Sequence, residues 1–139
     1  MRKNTQTGFS MIELLVVLVI LGLLAGLVGP QFFGKVDSAK VRTAETQVKM
    51  FKMALQTYRL DVGSYPENIE DLRSAPANVS DYWDGPYLDE RLPKDPWNKE
   101  YVYRLDSAAE QGFYLYSLGG DGAEGGEDLN ADIGYVPAN

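Results

Sequence analysis

Residues 8–33 read GFSMIELLVVLVILGLLAGLVGPQFF, and this stretch decides the fold. From Leu14 to Phe33 there is no charged side chain, and the next charge is Lys35. That length, about twenty residues, is what a helix needs to cross a hydrocarbon core of ~30 Å. Gly22, Gly26 and Gly29 lower intrinsic helix propensity but are common in membrane helices. Arg2 and Lys3 precede the run, so the positive-inside rule keeps residues 1–8 in the cytoplasm and sends the rest outward. A secretory signal peptide would close its apolar core with a small-residue cleavage site. None closes this one. A plain signal anchor explains the run but not Glu13, because an acid bordering an apolar segment is costly to insert and tends to mark function.

Downstream the pattern changes. Pro30 removes an intrahelical hydrogen bond and disfavours helix in the residue before it, so the apolar helix is expected to have a weak point there. Beyond it Ala44, Val48, Phe51, Leu55, Tyr58 and Val62 recur at spacings of four and three, one stripe of an amphipathic helix. Lys40, Arg42, Glu45, Lys49, Lys52, Gln56 and Arg59 fill the other faces. A helix from about Ser10 to Asp61 would extend roughly 75 Å at ~1.5 Å per residue. Gly63 ends it.

The remainder is small. Pro66, Pro76, Pro86, Pro93 and Pro96 break residues 63–96 into loops, with a short helix expected over 69–75 capped near Glu67 or Asn68. Tyr101-Val102-Tyr103 and Gly112 to Ser117 read as strands joined through 106–111, with a third near Ile133 to Val136. The expected fold class is α+β: a long N-terminal helix, membrane-spanning then amphipathic, packed on a small antiparallel sheet.

Composition narrows the chemistry. Net charge is −7, which disfavours nucleic acid as a partner. Without Cys or His the chain has no disulfide, no catalytic thiol or imidazole and no ordinary zinc site. The acids are concentrated late. Asp121, Glu124, Glu127, Asp128 and Asp132 fall in a glycine-rich tail that holds no Lys or Arg.

Gly8-Phe9-Ser10-Met11-Ile12-Glu13, set between a basic leader and an apolar helix, resembles the processing signature of type IV pilins and type II secretion pseudopilins. The resemblance implies cleavage after Gly8 by a prepilin peptidase and N-methylation of Phe9. It also implies that Glu13 meets the N-terminal amine of a neighbouring subunit, and that the segment around Pro30 melts when the subunit leaves the bilayer. The anticipated organisation is a cleaved leader (1–8), a transmembrane or filament-core helix (9–33) and a periplasmic globular domain with the amphipathic half of the helix (34–139).

Gly85-Pro86-Tyr87-Leu88, Leu92-Pro93-Lys94-Asp95-Pro96-Trp97-Asn98 and Tyr116-Ser117-Leu118-Gly119-Gly120-Asp121-Gly122 are similar to blocks of the major pseudopilins. So is Asn130-Ala131-Asp132-Ile133-Gly134, although the Trp usual in the family is missing after it and an aromatic, Tyr135, is kept one place along. This implies a homopolymeric fibre that drives export of folded proteins, anchored first in the bacterial inner membrane and then periplasmic. Its implied partners are membrane lipid, minor pseudopilins and an inner-membrane assembly platform. It also implies structural calcium in the acidic loop. By position, Asp121 and Asp132 would be side-chain ligands, Leu118 and Ala123 would give carbonyls, and Asp128 or Asn130 would complete the shell. Composition alone would make that loop a solvated turn. Competing expectations are a type IV pilus subunit and a membrane-anchored enzyme using the acid cluster.

Overall fold

The computed structural model describes residues 7–89 and 91–138, so most of the expected leader lies outside the described residues. Helix α1 runs from Met11 to Val62. Three strands follow, β1 (Val102–Leu105), β2 (Phe113–Ser117) and β3 (Ile133–Tyr135), in the antiparallel order β1-β2-β3. The chain divides into two compact units at Val36–Asp37.

In the first unit, α1 buries nothing of its apolar window within the chain. Leu23 and Leu27 are each 71% exposed. Such a surface is stable only when another apolar phase covers it. Pro30 lies inside α1, and the backbone is helical on both sides of it.

In the second unit the amphipathic stripe forms the core. Ala44, Val48, Phe51, Leu55 and Tyr58 are all buried, as the spacing requires, and Ala54 joins them. All but Ala44 pack with Leu72, Leu88, Tyr101, Phe113 and Leu115 in one core cluster. Burying a side chain of this size contributes about 1.5–3 kcal/mol. Edge-to-face aromatic pairs add direction, with ring centroids 5.2 Å apart for Phe51–Tyr101 and 4.9 Å for Tyr65–Phe113. Gly63 stops α1 at a φ of 92°, its N–H donating to the Arg59 carbonyl at 2.8 Å. That left-handed conformation suits glycine.

The strand pairing follows from alternation. Val102 faces Tyr116 and Leu105 faces Phe113, while Leu115 faces Tyr135 and Ser117 faces Ile133. Tyr135 packs on the core and holds Lys52 Nζ 4.8 Å above its ring, so this aromatic has a packing role. The helix expected over 69–75 is only a 3₁₀ turn, Ile69–Leu72. Pro76 explains the shortening, because the residue before a proline is driven out of helical geometry. Asp71 closes the first turn, accepting the Asn68 N–H at 3.3 Å.

Two core tyrosines give the unit a pH dependence. Tyr101 donates to Gln47 Oε1 at 2.5 Å, and Tyr103 donates to the Pro66 carbonyl at 2.7 Å. Burial is the main cause holding both phenols well above their usual value of 10.0. The folded state therefore favours the protonated phenol. This contribution is complete below pH 10 and is lost as pH climbs toward the raised folded-state values. Melting temperature should fall steeply above pH 10. Tyr103→Phe should flatten that fall while costing about 1 kcal/mol at neutral pH for the lost hydrogen bond.

Candidate functional site

Three local constructions carry the residues singled out by sequence. The first is the start of α1. Glu13 Oε2 accepts the Ser10 N–H at 2.9 Å, and the Glu13 N–H donates to Ser10 Oγ at 3.2 Å. This is a reciprocal capping box, and it satisfies two donors that a helix start leaves open. The carboxylate also faces the positive end of the helix dipole. Glu13 thus has a partner within its own chain, which the Ser10-x-x-Glu13 spacing signals. Gly8 and Phe9 lie just ahead of the helix and are exposed.

The second is the acidic loop. It folds back on itself, with the Gly120 N–H donating to the Leu129 carbonyl at 2.8 Å and the Asp132 N–H to the Gly125 carbonyl at 3.2 Å. Gly119, at a φ of 63°, leaves no room for a side chain, since a Cβ there would stand 2.7 Å from the Ala131 carbonyl oxygen. Asp132 Oδ2 accepts the Gly125 N–H at 2.9 Å. Its Oδ1 is buried with no hydrogen-bond partner. A buried oxygen of this kind is an uncompensated cost unless a cation or donor meets it. Asp132 lines a cavity of about 260 Å³ with Tyr116, Glu124, Gly125 and Gly126. Tyr116 donates to Glu124 Oε1 at 3.2 Å, and desolvation, then Glu124 and Asp132, raise its phenol pKa.

The other expected ligands stand apart. Asp121 Oδ1 accepts the Ala123 N–H at 3.1 Å, and the Leu118 carbonyl accepts the Gly122 N–H at 3.2 Å. Asp128 is exposed, with a left-handed φ of 53°, at the start of a 3₁₀ turn that ends at Asn130. Among the described residues no three acidic side chains converge as a metal cage. The residues fit a hard cation through the orphaned Asp132 oxygen and the abundant loop carbonyls, not through a preformed acid cluster. Sequence reading missed Lys99, whose Nζ donates to the Gly120 carbonyl at 3.3 Å and brings a positive charge to the loop.

The third is a buried staple beneath the loop. Asp95 Oδ1 accepts the N–H groups of Trp97 (3.0 Å) and Lys99 (2.8 Å), and Oδ2 accepts Ser117 Oγ–H at 2.5 Å. Ser117 Oγ in turn accepts the Gly119 N–H at 3.2 Å. One side chain therefore fixes the Pro96-Trp97-Asn98 turn, the end of β2 and the entry to the loop. Asn98 closes the turn at a φ of 66°, a conformation asparagine tolerates.

Comparison with known proteins places the chain in a family. The family described as "Type II secretion system (T2SS), protein G" matches residues 31–136, and the "Prokaryotic N-terminal methylation motif" matches residues 3–29. The type II secretion system core protein G of Pseudomonas aeruginosa is 42% identical, over 96% of this chain and 97% of its own. That of Vibrio cholerae is also 42% identical, over 96% and 92%. The crystal structure of the major pseudopilin from the type 2 secretion system of enterohaemorrhagic Escherichia coli superposes with a TM-score of 0.57 at 29% identity, covering 73% of this chain and 90% of that one. With a long N-terminal apolar helix, a three-stranded antiparallel sheet and both family matches in sequence order, the chain belongs to the type II secretion system protein G family, the major pseudopilins.

Proposed function

We propose that the chain is the major structural subunit of a type II secretion pseudopilus, a fibre built from many copies of itself. The observation that carries this reading is the division of α1. Its downstream part buries a stripe in the core, while the part from Met11 to Phe33 leaves large apolar side chains uncovered. A membrane covers that surface before assembly and copies of the same helix cover it afterwards. The subunit enters the inner membrane with its N-terminus cytoplasmic and its globular part periplasmic, an orientation that Arg2 and Lys3 support. A prepilin peptidase cuts after Gly8, and Phe9 is N-methylated. Minor pseudopilins and an inner-membrane assembly platform are its further partners. The role is structural, not catalytic. Deleting the gene should abolish export of folded proteins, and overproduction should give fibres visible by electron microscopy. Normal export from the deletion strain would refute the reading.

Calcium is the ion proposed for the acidic loop, held by Asp132 and Asp121 with the Leu118 and Ala123 carbonyls and with Asp128 or Asn130. Bound there, it would neutralise repelling carboxylates and fix the loop against the sheet. Because the acids are not gathered beforehand, binding has to draw Asp121 and Asp128 inward. Calcium at ~100 Kd should add about 2.7 kcal/mol to stability, and chelator should remove it. Asp132→Ala should abolish the calorimetric heat of calcium binding to the full chain in detergent. Absence of heat with the unaltered chain, together with a melting temperature indifferent to chelator, would refute the site.

A further inference from the structure

The outward face of α1, opposite the core stripe, is unusual for a solvated helix surface. Thr43, Thr46, Met50, Met53, Thr57 and Leu60 follow one another there at helical spacing, and all are exposed. Met53 is 68% exposed and Leu60 84%. The threonines offer no free hydroxyl hydrogen to solvent. Each donates to the carbonyl four residues back: Thr43 to Ala39 at 2.9 Å, Thr46 to Arg42 at 2.8 Å and Thr57 to Met53 at 3.0 Å. What remains outward is methyl and thioether surface, with exposed Arg42 and Lys49 beside it.

A complementary feature lies on the loop before β1. Tyr82 is 69% exposed and stands between exposed Asp81 and Asp84. The loop that carries it is held firmly. The Tyr82 and Trp83 N–H groups both donate to the Val79 carbonyl, at 3.0 and 3.1 Å, and Trp83 Nε1 donates to the Asp71 carbonyl at 2.8 Å. Tyr82 is therefore presented on a preorganised support, which lowers the entropy cost of docking it. Within one copy neither feature covers the other, since both are exposed.

Charge divides along the same line. Residues 35–62 carry six basic and three acidic side chains, and residues 63–139 carry five basic and sixteen acidic. We infer that Tyr82, flanked by Asp81 and Asp84, docks on the Met50–Met53 face of α1 in a second copy of this chain. The tyrosine ring meets the polarisable thioethers, and Asp81 and Asp84 meet Arg42 and Lys49. Made head to tail, with each copy giving Tyr82 to one neighbour and its Met50–Met53 face to another, the contact is heterologous and can be repeated along the fibre.

The inference rests on the fibre reading above and specifies one contact within it. The chain has no cysteine, so single cysteines report without background. Differently tagged Met53→Cys and Tyr82→Cys chains are co-expressed, fibres are sheared from cells and then oxidised. The expected product is the mixed 53–82 dimer, about ten-fold above either like-with-like dimer, because neighbours in a fibre hold each other at high effective concentration. Fibres that form without that enrichment overturn the contact and leave the fibre reading intact. Unaltered chains that form no fibre overturn the reading itself. If the cysteine variants fail to assemble, charge reversal decides. Arg42→Asp should reduce fibre yield and Asp84→Arg should restore it, and failure of both Asp84→Arg and Asp81→Arg to restore it overturns the contact.

Discussion

Replacing Asp95 with alanine is expected to destabilise the globular half by about 3–5 kcal/mol, and that is enough to unfold much of the population. The side chain is only 4% exposed. It accepts from the Trp97 and Lys99 N–H groups and from the fully buried Ser117 hydroxyl. Alanine would leave two part-buried N–H donors without their acceptor and strand the Ser117 hydroxyl where water does not reach it. Each stranded donor costs about 1–3 kcal/mol, and domains of this size have only about 5–15 kcal/mol in hand. Asp95→Asn keeps one acceptor oxygen in place and should cost less. Ser117→Ala removes a donor and an acceptor together and should fall between the two. Chemical denaturation of the three variants checks the order. An Asp95→Ala midpoint equal to that of the unaltered chain would mean that the staple does not hold the turn, the strand and the loop together.

The second large effect concerns Glu13. Glu13→Ala should leave the protein inserted and cleaved but reduce fibres to background. Two causes contribute. Losing the reciprocal cap with Ser10 weakens the start of α1 by about 1 kcal/mol. The larger cause expected, if Glu13 pairs with a neighbouring subunit's N-terminal amine, is that amine left without its carboxylate where the environment is apolar. Glutamine separates the two. Glu13→Gln preserves the capping geometry but cannot neutralise a neighbour's amine. Fibre yield in Glu13→Gln should match that of Glu13→Ala if charge pairing drives assembly. Full assembly by the glutamine variant would assign Glu13 to capping alone.

The long helix was the most legible part of the chain, because its signal is periodic. The charge-free run and the 44–62 stripe each repeat over many turns, so single exceptions such as Pro30 do not erase them. Strand positions were legible to within two residues, since alternation and flanking glycines mark them. Features that depend on distant partners were not legible. Asp95 and Ser117 are 22 residues apart, and Asp95-Pro96-Trp97-Asn98 by itself reads only as a turn. The 69–75 segment lost its last turn to Pro76, a boundary effect that propensity underweights. The acidic loop was legible as composition but not as geometry. Spacing does not reveal that Asp121 turns to its own backbone while Asp132 keeps an unpaired oxygen. Lys99 escaped notice because its contact with Gly120 crosses 21 residues.

The central claim is that residues 1–8 are removed so that the chain begins at a free, methylated Phe9, just ahead of α1, and packs into a fibre. Mass spectrometry of the N-terminal peptide from fibres sheared off cells tests it most directly. The account requires a chain starting at N-methylated Phe9. Fibres made of chains that still begin at Met1, with an unmodified Phe9 inside the peptide, would contradict it.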